Sequence, residues 1–557
     1  SEPVEADDGR LPLPLDALLS VPVVVRNDGT LPVVLTAGST APLPDLGVRI
    51  HAAAVGEATS SDASVELSPS GDHDRTDAPV LLPELAGRTV ITTLEARTIR
   101  DAGEMPESPR VTLFGGDALP LAHHPRIPSR ERRRPRDRPD IVVLILDAAR
   151  PDHFSCYGYP RRTTPRIDRL ADDSYVFDNA FALAPYTLCS VPTMVTGLSF
   201  IDHGVVSRED RLADGATTLA EILLAEGYRT AAVSGTPNFA PAKGTHQGFE
   251  VFSEPWRDLP PELRVAPGPI VDEALRLLAV DDPRPIYLQL HFVPPHEPYA
   301  PDARFDVFTS PSGEGTIDGS SDTLRSVAAG TTRLDAESLE HLIGLYDGNL
   351  LAADHAAGRV IDALRVRPRW DNTVVLVTSD HGEAMYEHGF VGHNRTVFDE
   401  MLRVPFILRV PKALRSRTVD TNRLATLEDL VPTLLGLAGV RSEAPVSGLD
   451  LLVPPDDPLR AGDRWFVART ASGRPSHLLR TRRYAAILEH SGVGALYDMI
   501  EDPEQRSDIA ARHPGLLAGL ALLADRELTR SPILSAEEEE RLDEADRDML
   551  EALGYVE

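Results

Sequence analysis

The sequence predicts an α/β fold: a mostly parallel central sheet sandwiched between helices, with a β-rich domain before it and a small antiparallel subdomain after it. Three observations carry this prediction. Uninterrupted apolar runs such as "IVVLILD" (141–147) recur, as expected of strands covered on both faces. Segments such as "GATTLAEILLAEGYRTAAVSG" (215–235) read as helix, glycine break and strand, the repeating unit of such a sheet. Polar residues collect at the carboxyl ends of the runs, where open α/β sheets bind their ligands.

Taken in order, residues 1–125 lack helical periodicity. "VPVVVRNDG", "LPVVLTAG", "GVRIHAAAV", "TVITTLEA" and "PRVTLFGG" read as short strands between Gly, Pro, Asn and Asp turns, which pack most simply as a β-sandwich-like accessory domain. Residues 126–140, "RIPSRERRRPRDRPD", form a charged, proline-punctuated linker. The α/β domain, expected to hold any active site, spans 141–455 and adds the strands "RPIYLQLHFV", "NTVVLVTSDHGE" and "LRVPFILRVP" and the helix "TLEDLVPTLLGLAGV". Residues 456–530 form the antiparallel subdomain. Residues 531–557 form a terminal helix, in which Ser535 and Glu538 have capping-box spacing.

Composition narrows the function. A chain of 557 residues with 42% apolar and 25% charged residues is globular and long enough for several domains. With 86 acidic against 56 basic residues, its net charge of -30 repels nucleic acids and anionic membranes, and no nucleic-acid-binding domain is evident. Lys243 and Lys412 are the only lysines, so a cationic role in a site falls to Arg, His or a metal. Two cysteines, Cys156 and Cys189, make no disulfide framework. No apolar run reaches the ~20 residues that span a bilayer. The polar start "SEPVEADDGR" is unlike a signal peptide, which favours a cytoplasmic location. A homo-oligomer is left open.

Several strand ends carry groups able to bind a metal. Asp147 closes the first run, and Asp380 and His381 close "VVLVTSDH"; oxygen and imidazole donors suit Mg, Mn, Ca or Zn. The loop "HFVPPHEPYAP" places His291 and His296 at the same edge, and "EHGFVGHNRTVFDE" adds His388 and His393. Either histidine group could stabilise a leaving oxygen or bind an anion, and at least one of these imidazoles is structural. In "APYTLCSVPTMVTG" (184–197) a helix begins near residue 188, with Thr187 at its N-cap. A hydroxyl there faces free N–H groups that favour an anion. Spacing alone leaves Thr187, Cys189, Ser190 and a purely capping role open.

Together and in this order, "VVLILDAARPDHFSCYGYPRRTTPRIDRLA", "APYTLCSVPTMVTGLSFIDHGV", "HFVPPHEPYAP", "VVLVTSDHGEAMYEHGFVGHNRTVFDEMLRVPFILRVP" and "ALYDMIEDPEQRSDIAARHP" resemble the sulfatase-like branch of the alkaline phosphatase superfamily, over roughly residues 138–525. The resemblance implies an alkaline-phosphatase-like sandwich. It also implies one divalent metal on Asp147, Thr187, Asp380 and His381, with His296 and His393 beside an anionic ester. His291, His388, Cys189 and the Asn238–Phe239 step of "SGTPNFAPAKG" are less certain substrate or supporting positions. In sulfatases a cysteine converted to formylglycine is followed by Pro at +2 and Arg at +4; here those positions read Thr187, Cys189 and Val191. Pro294 stands where related chains have a metal-binding aspartate, which argues for one metal rather than two. On this register the chain is expected to resemble threonine-nucleophile phosphodiesterases and phosphotransferases, acting through a phospho-threonine intermediate. A sulfuric ester hydrolase without formylglycine, a phosphotransferase and a non-catalytic binding protein are the alternatives.

Overall fold

The computed structural model describes residues 137–557 except 310–316, 417–418, 454–463, 472–474, 490–493, 539–542 and 554–557, together with the backbone of eight strands between residues 10 and 114. The chain divides into two compact units. One comprises Ser1–His123, Pro455–Val467 and Ser476–Arg530; the other comprises His124–Pro454, Ala468–Pro475 and Ser531–Glu557.

In the first unit, the N-terminal strands form two four-stranded sheets. Arg10–Pro14, Arg110–Phe114, Thr30–Thr36 and Arg75–Leu81 make one, and Leu18–Val24, Thr89–Thr98, Leu46–Ala54 and Ser60–Leu67 the other, all paired antiparallel. The five strands expected here are present. Arg10–Pro14, Ser60–Leu67 and Arg75–Leu81 join them; the first is short and broken by two prolines, and the other two are too polar to stand out in sequence. The expected linker lies, up to residue 136, outside the described residues. A third four-stranded sheet orders Trp465–Arg469, His477–Thr481, Tyr484–Leu488 and Gly494–Asp498, the last three pairing antiparallel, and the helix Pro514–Leu528 follows it.

The second unit is built on a seven-stranded sheet: β1 (Asp140–Leu146), β2 (Tyr175–Val176), β3 (Arg229–Ser234), β4 (Val251–Ser253), β5 (Ile286–Phe292), β6 (Thr373–Thr378) and β7 (Phe406–Arg409). Their order is β2-β7-β6-β1-β5-β3-β4. β7 pairs antiparallel with both β6 and β2, while the inner pairs are parallel. Every residue of β1 is buried, and its side chains alternate between two cores. Ile141, Val143 and Ile145 face a core with helices α2 (Leu219–Ala225) and α5 (Leu430–Ala438), while Val142, Leu144 and Leu146 face one with α3 (Gly268–Leu278) and α4 (Ala336–Arg365). Each such aliphatic side chain contributes roughly 1.5–3 kcal/mol by leaving water. This three-layer arrangement is the expected α/β sandwich, and it puts the carboxyl ends of β1, β5 and β6 side by side.

Two local expectations are corrected. Helix α1 runs Thr187–Thr196, so Thr187 is its first residue and Tyr186 the cap; α1 continues through Pro192. At the C-terminus the capping box is Asp543 with Asp546, opening the helix Glu544–Ala552. Ser535 does not cap it, because the chain first forms a strand, Glu537–Glu538, against Asp210–Arg211. Met549, Leu550 and Leu553 pack on Trp256 and Val293. Among the described residues, no helix is long and apolar enough to cross a membrane.

Candidate metal-dependent active site

Asp147 follows β1 directly, and its N–H donates to Phe292 O at 3.0 Å. The chain then turns sharply at Ala148, whose φ of 58° costs an alanine about 1 kcal/mol. Tyr346 fixes this turn: its hydroxyl donates to Ala148 O at 2.8 Å and accepts from Arg150 N at 3.1 Å. Asp380 and His381 follow β6, and Gly382 lets the turn pass closely beneath another chain segment, since a Cβ there would lie 2.2 Å from Glu400 O. His291 lies within β5, and His296 follows in a loop whose N–H donates to Asp147 O at 3.1 Å.

These side chains converge. His291 Nε2 lies 3.3 Å from Asp147 Oδ2 and 4.0 Å from Asp380 Oδ2. His381 Nε2 lies 3.5 Å from Asp147 Oδ1 and 3.8 Å from Asp380 Oδ2. All four are essentially inaccessible to solvent. Both Asp147 oxygens, Asp380 Oδ2 and both His291 ring nitrogens make no hydrogen bond. Burying so many polar atoms without partners is costly unless a cation satisfies them. Ligand atoms of Asp147, His291 and Asp380 lie within 4.8 Å of one another, a donor set that fits one divalent metal ion, and His381 Nε2 adjoins it. Burial and the adjacent Asp380 push the Asp147 carboxyl well above its ordinary range. Asp380 is held low despite burial, because His381 and His291 face it.

A second layer of imidazoles adjoins this centre. One nitrogen from each of His296, His381 and His393 lies within 4.8 Å of those of the other two. His296 Nδ1 donates to Glu297 O at 2.8 Å, and His381 Nδ1 to Gly382 O at 2.7 Å. A carbonyl can only accept, so each of these rings carries its proton on Nδ1 and presents the Nε2 lone pair. Burial, then the neighbouring imidazoles, push His296 down to about 3 and His393 well below its usual range. Against burial, Asp380 and Asp147 raise His381. Thr187 Oγ1 stands 3.4 Å from His381 Nε2, fully buried at the first turn of α1, and also faces Asp380.

The structure therefore brings together Asp147, Thr187, His291, His296, Asp380, His381 and His393. His388 is elsewhere, paired with Glu400 at 2.7 Å and stacked on Phe398. Cys189 is inside α1, fully buried; desolvation pushes its thiol up to about 12, so it is not a nucleophile at neutral pH. Asn238 is buried and donates its N–H to Thr236 Oγ1, while the Phe239 ring stands 6.2 Å from His291. Sequence reasoning placed His291 among the less certain positions, because it lies inside the apolar run of β5 rather than at its end. It missed Glu383 altogether, two residues beyond His381.

Comparison with known proteins decides which branch of chemistry this centre serves. A family model described as Sulfatase matches residues 139–440, more than half of the chain. The chain belongs to the sulfatase family. It is 27% identical to an ulvan-active sulfatase of Formosa agariphila, covering 67% of this chain and 78% of that protein. It is 22% identical to an N-acetylglucosamine-6-O-sulfatase of Bacteroides thetaiotaomicron, covering 73% and 88%. Among solved structures, a phosphonate monoester hydrolase of Agrobacterium radiobacter aligns at a TM-score of 0.58 and 19% identity, covering 70% of this chain and 95% of that one. That likeness carries the alkaline-phosphatase-like fold alone.

These findings correct the expected branch. The match is to the sulfatase family proper, so the resemblance to threonine-nucleophile phosphodiesterases and phosphotransferases, and the phosphodiesterase activity with its phosphoprotein intermediate, do not hold. The reason is that the metal-ligand motifs are shared across the superfamily, and the expectation rested on the short register of Thr187, Cys189 and Val191. The alternative of a sulfuric ester hydrolase is the one supported. This sulfatase-family chain is a metal-dependent ester hydrolase with one divalent metal centre and an anionic ester substrate.

Proposed function

We propose that this protein hydrolyses sulfate monoesters of sugars at the centre formed by Asp147, His291, Asp380 and His381. The observation that carries the reading is the set of buried carboxylate and imidazole atoms without hydrogen-bond partners, lying within the segment matched to the sulfatase family. The names of the relatives, one acting on ulvan and one on N-acetylglucosamine 6-O-sulfate, support a sugar ester.

A bound dication would supply Lewis-acid stabilisation of charge on the sulfuryl oxygens. The chain's own groups do the rest. Asp147 and Asp380 bring the negative charge that holds the cation, with His291 and His381 as neutral donors. Thr187 at the N-terminus of α1 places a hydroxyl and the first backbone N–H groups toward the ester anion. A sulfated threonine lacks the hemiacetal route by which formylglycine releases sulfate, so water is the attacking group in this reading. His393 or His296, each held neutral, accepts the water proton and returns one to the departing sugar oxygen as the S–O bond breaks. A cavity of about 460 Å³ bordered by His296, Pro298, Phe305, Asn349, Arg304 and Arg359 is of a size to receive the sugar.

The test is turnover of 4-nitrophenyl sulfate, 4-nitrophenyl phosphate, bis(4-nitrophenyl) phosphate and a 4-nitrophenyl phosphonate, with Mg, Mn, Ca or Zn supplied in turn. Sulfate should be turned over fastest, EDTA should abolish the activity, and Thr187→Ala should lower kcat by about 100-fold or more, the loss typical of one charge-stabilising donor. A phosphodiester turned over faster than the sulfate, or activity unaffected by EDTA, would overturn the reading.

A further inference from the structure

Glu383 has no role in the metal centre described above, yet it is fully buried and lies beside it. Its Oε1 is 3.0 Å from His393 Nδ1, and the Tyr299 hydroxyl also faces its carboxyl. The turn that carries it is held from the opposite side: Arg150, whose guanidinium is buried, donates to Glu383 O at 2.9 Å. His393 follows the two-residue strand Val391–Gly392, which pairs with Ala384–Met385 immediately after Glu383. The two side chains therefore sit on one small ribbon and keep a fixed separation.

The three clustered imidazoles are oriented in the same sense but by different partners. His296 and His381 each give the Nδ1 proton to a backbone carbonyl, whereas His393 faces a carboxylate. A carboxylate is the stronger acceptor and also stabilises any positive charge that the ring acquires. Because Nδ1 is engaged by Glu383, the remaining lone pair of His393 is on Nε2, the edge available to the neighbouring rings 4.7 Å away, those of His296 and His381.

We infer that Glu383 is the positioning residue of His393: it fixes the Nδ1–H tautomer and the ring rotation so that Nε2 faces the ester. This rests on the sulfate-ester reading for its kinetic consequence, but not for its structural one. In the reaction, the water proton moves to His393 Nε2, the ring becomes an imidazolium paired with Glu383, and the same proton then passes to the leaving oxygen as the S–O bond breaks. Atoms and charge balance without a further reactant.

Two readouts separate this from a merely structural role. In protein with selectively 15N-labelled histidine and no substrate, His393 should show a protonated Nδ1 and a bare Nε2; Glu383→Leu should scramble that pattern, while Glu383→Gln, whose amide oxygen can still accept, should largely keep it. In turnover, Glu383→Leu should lower kcat by about 10–100-fold with KM and metal content unchanged. The loss should be greater for alkyl than for 4-nitrophenyl sulfates, Glu383→Gln should be rescued relative to it, and adding His393→Ala to Glu383→Leu should cost little more. An Nε2–H tautomer in the unsubstituted protein, a parallel loss of metal, or an additive double variant would overturn the inference. Absent sulfate turnover with the Nδ1–H pattern intact would instead overturn the sulfate-ester reading and leave Glu383 as the group that sets the His393 tautomer.

Discussion

Replacing Asp147 by asparagine should strengthen the metal-free protein while weakening its response to metal. Ligand atoms of Asp147 and Asp380 lie within 4.8 Å of each other in a solvent-free cluster. At an effective dielectric constant of about 20, two negative charges at that separation repel by about 3 kcal/mol. Without metal, Asp147 avoids that cost by holding a proton, and burial followed by the Asp380 charge raises its folded-state value well above the ordinary 3.8. The sign follows from linkage. A carboxyl raised on folding contributes most below its unfolded value, and metal-free stability then falls by about 1.4 kcal/mol per pH unit until the folded value is passed. By pH 7 this reaches about 4 kcal/mol at most. The asparagine of Asp147→Asn carries no charge and takes up no proton, and its amide can donate to the Asp380 oxygen that now lacks a partner. Urea unfolding in EDTA at pH 5, 6, 7 and 8 should thus show the variant gaining on the parent as pH rises. With excess divalent ion the order should reverse, because only the parent retains two carboxylates to hold the cation. A pH-independent difference, or a metal-free variant that is the less stable at pH 8, would refute the reasoning.

Two other outcomes follow from burial. Both thiols should resist 5,5'-dithiobis(2-nitrobenzoate) at pH 8 and react fully once the chain is unfolded, since Cys189 has no exposed surface and burial raises both thiol values; rapid native labelling of Cys189 would contradict its placement inside α1. Leu144→Ala, in the centre of β1 and fully buried against the α3 and α4 face, should lower unfolding free energy by about 2–5 kcal/mol. A loss below about 1 kcal/mol in urea titration would mean that this face is not close-packed.

The sandwich was legible because its strands are buried on both faces and so read as unbroken apolar runs: 141–147, 286–292 and 373–378 appear in the sequence almost as they do in the structure. Asp147, Asp380 and His381 were legible for the same reason, being polar residues at the ends of those runs. Short strands such as Ala384–Met385 and Val391–Gly392 were not, because two residues carry no periodicity. The branch of chemistry was not legible, because the register of Thr187, Cys189 and Val191 covers only a few positions and the metal motifs beside it are common to several branches.

The sequence by itself therefore determined the fold class, the edge of the sheet at which the buried cluster lies and most of the carboxylates and imidazoles that gather there, because these depend on local patterns of burial. Only the tertiary structure decided that His291 joins Asp147 and Asp380, that Cys189 faces the protein interior, that His388 belongs to Glu400 and that Glu383 reaches His393. Those partners are distances between residues on different strands and loops, set by the parallel register of β1, β5 and β6 and by the turns beyond them. No local pattern encodes such a distance; the packing of the whole sandwich does.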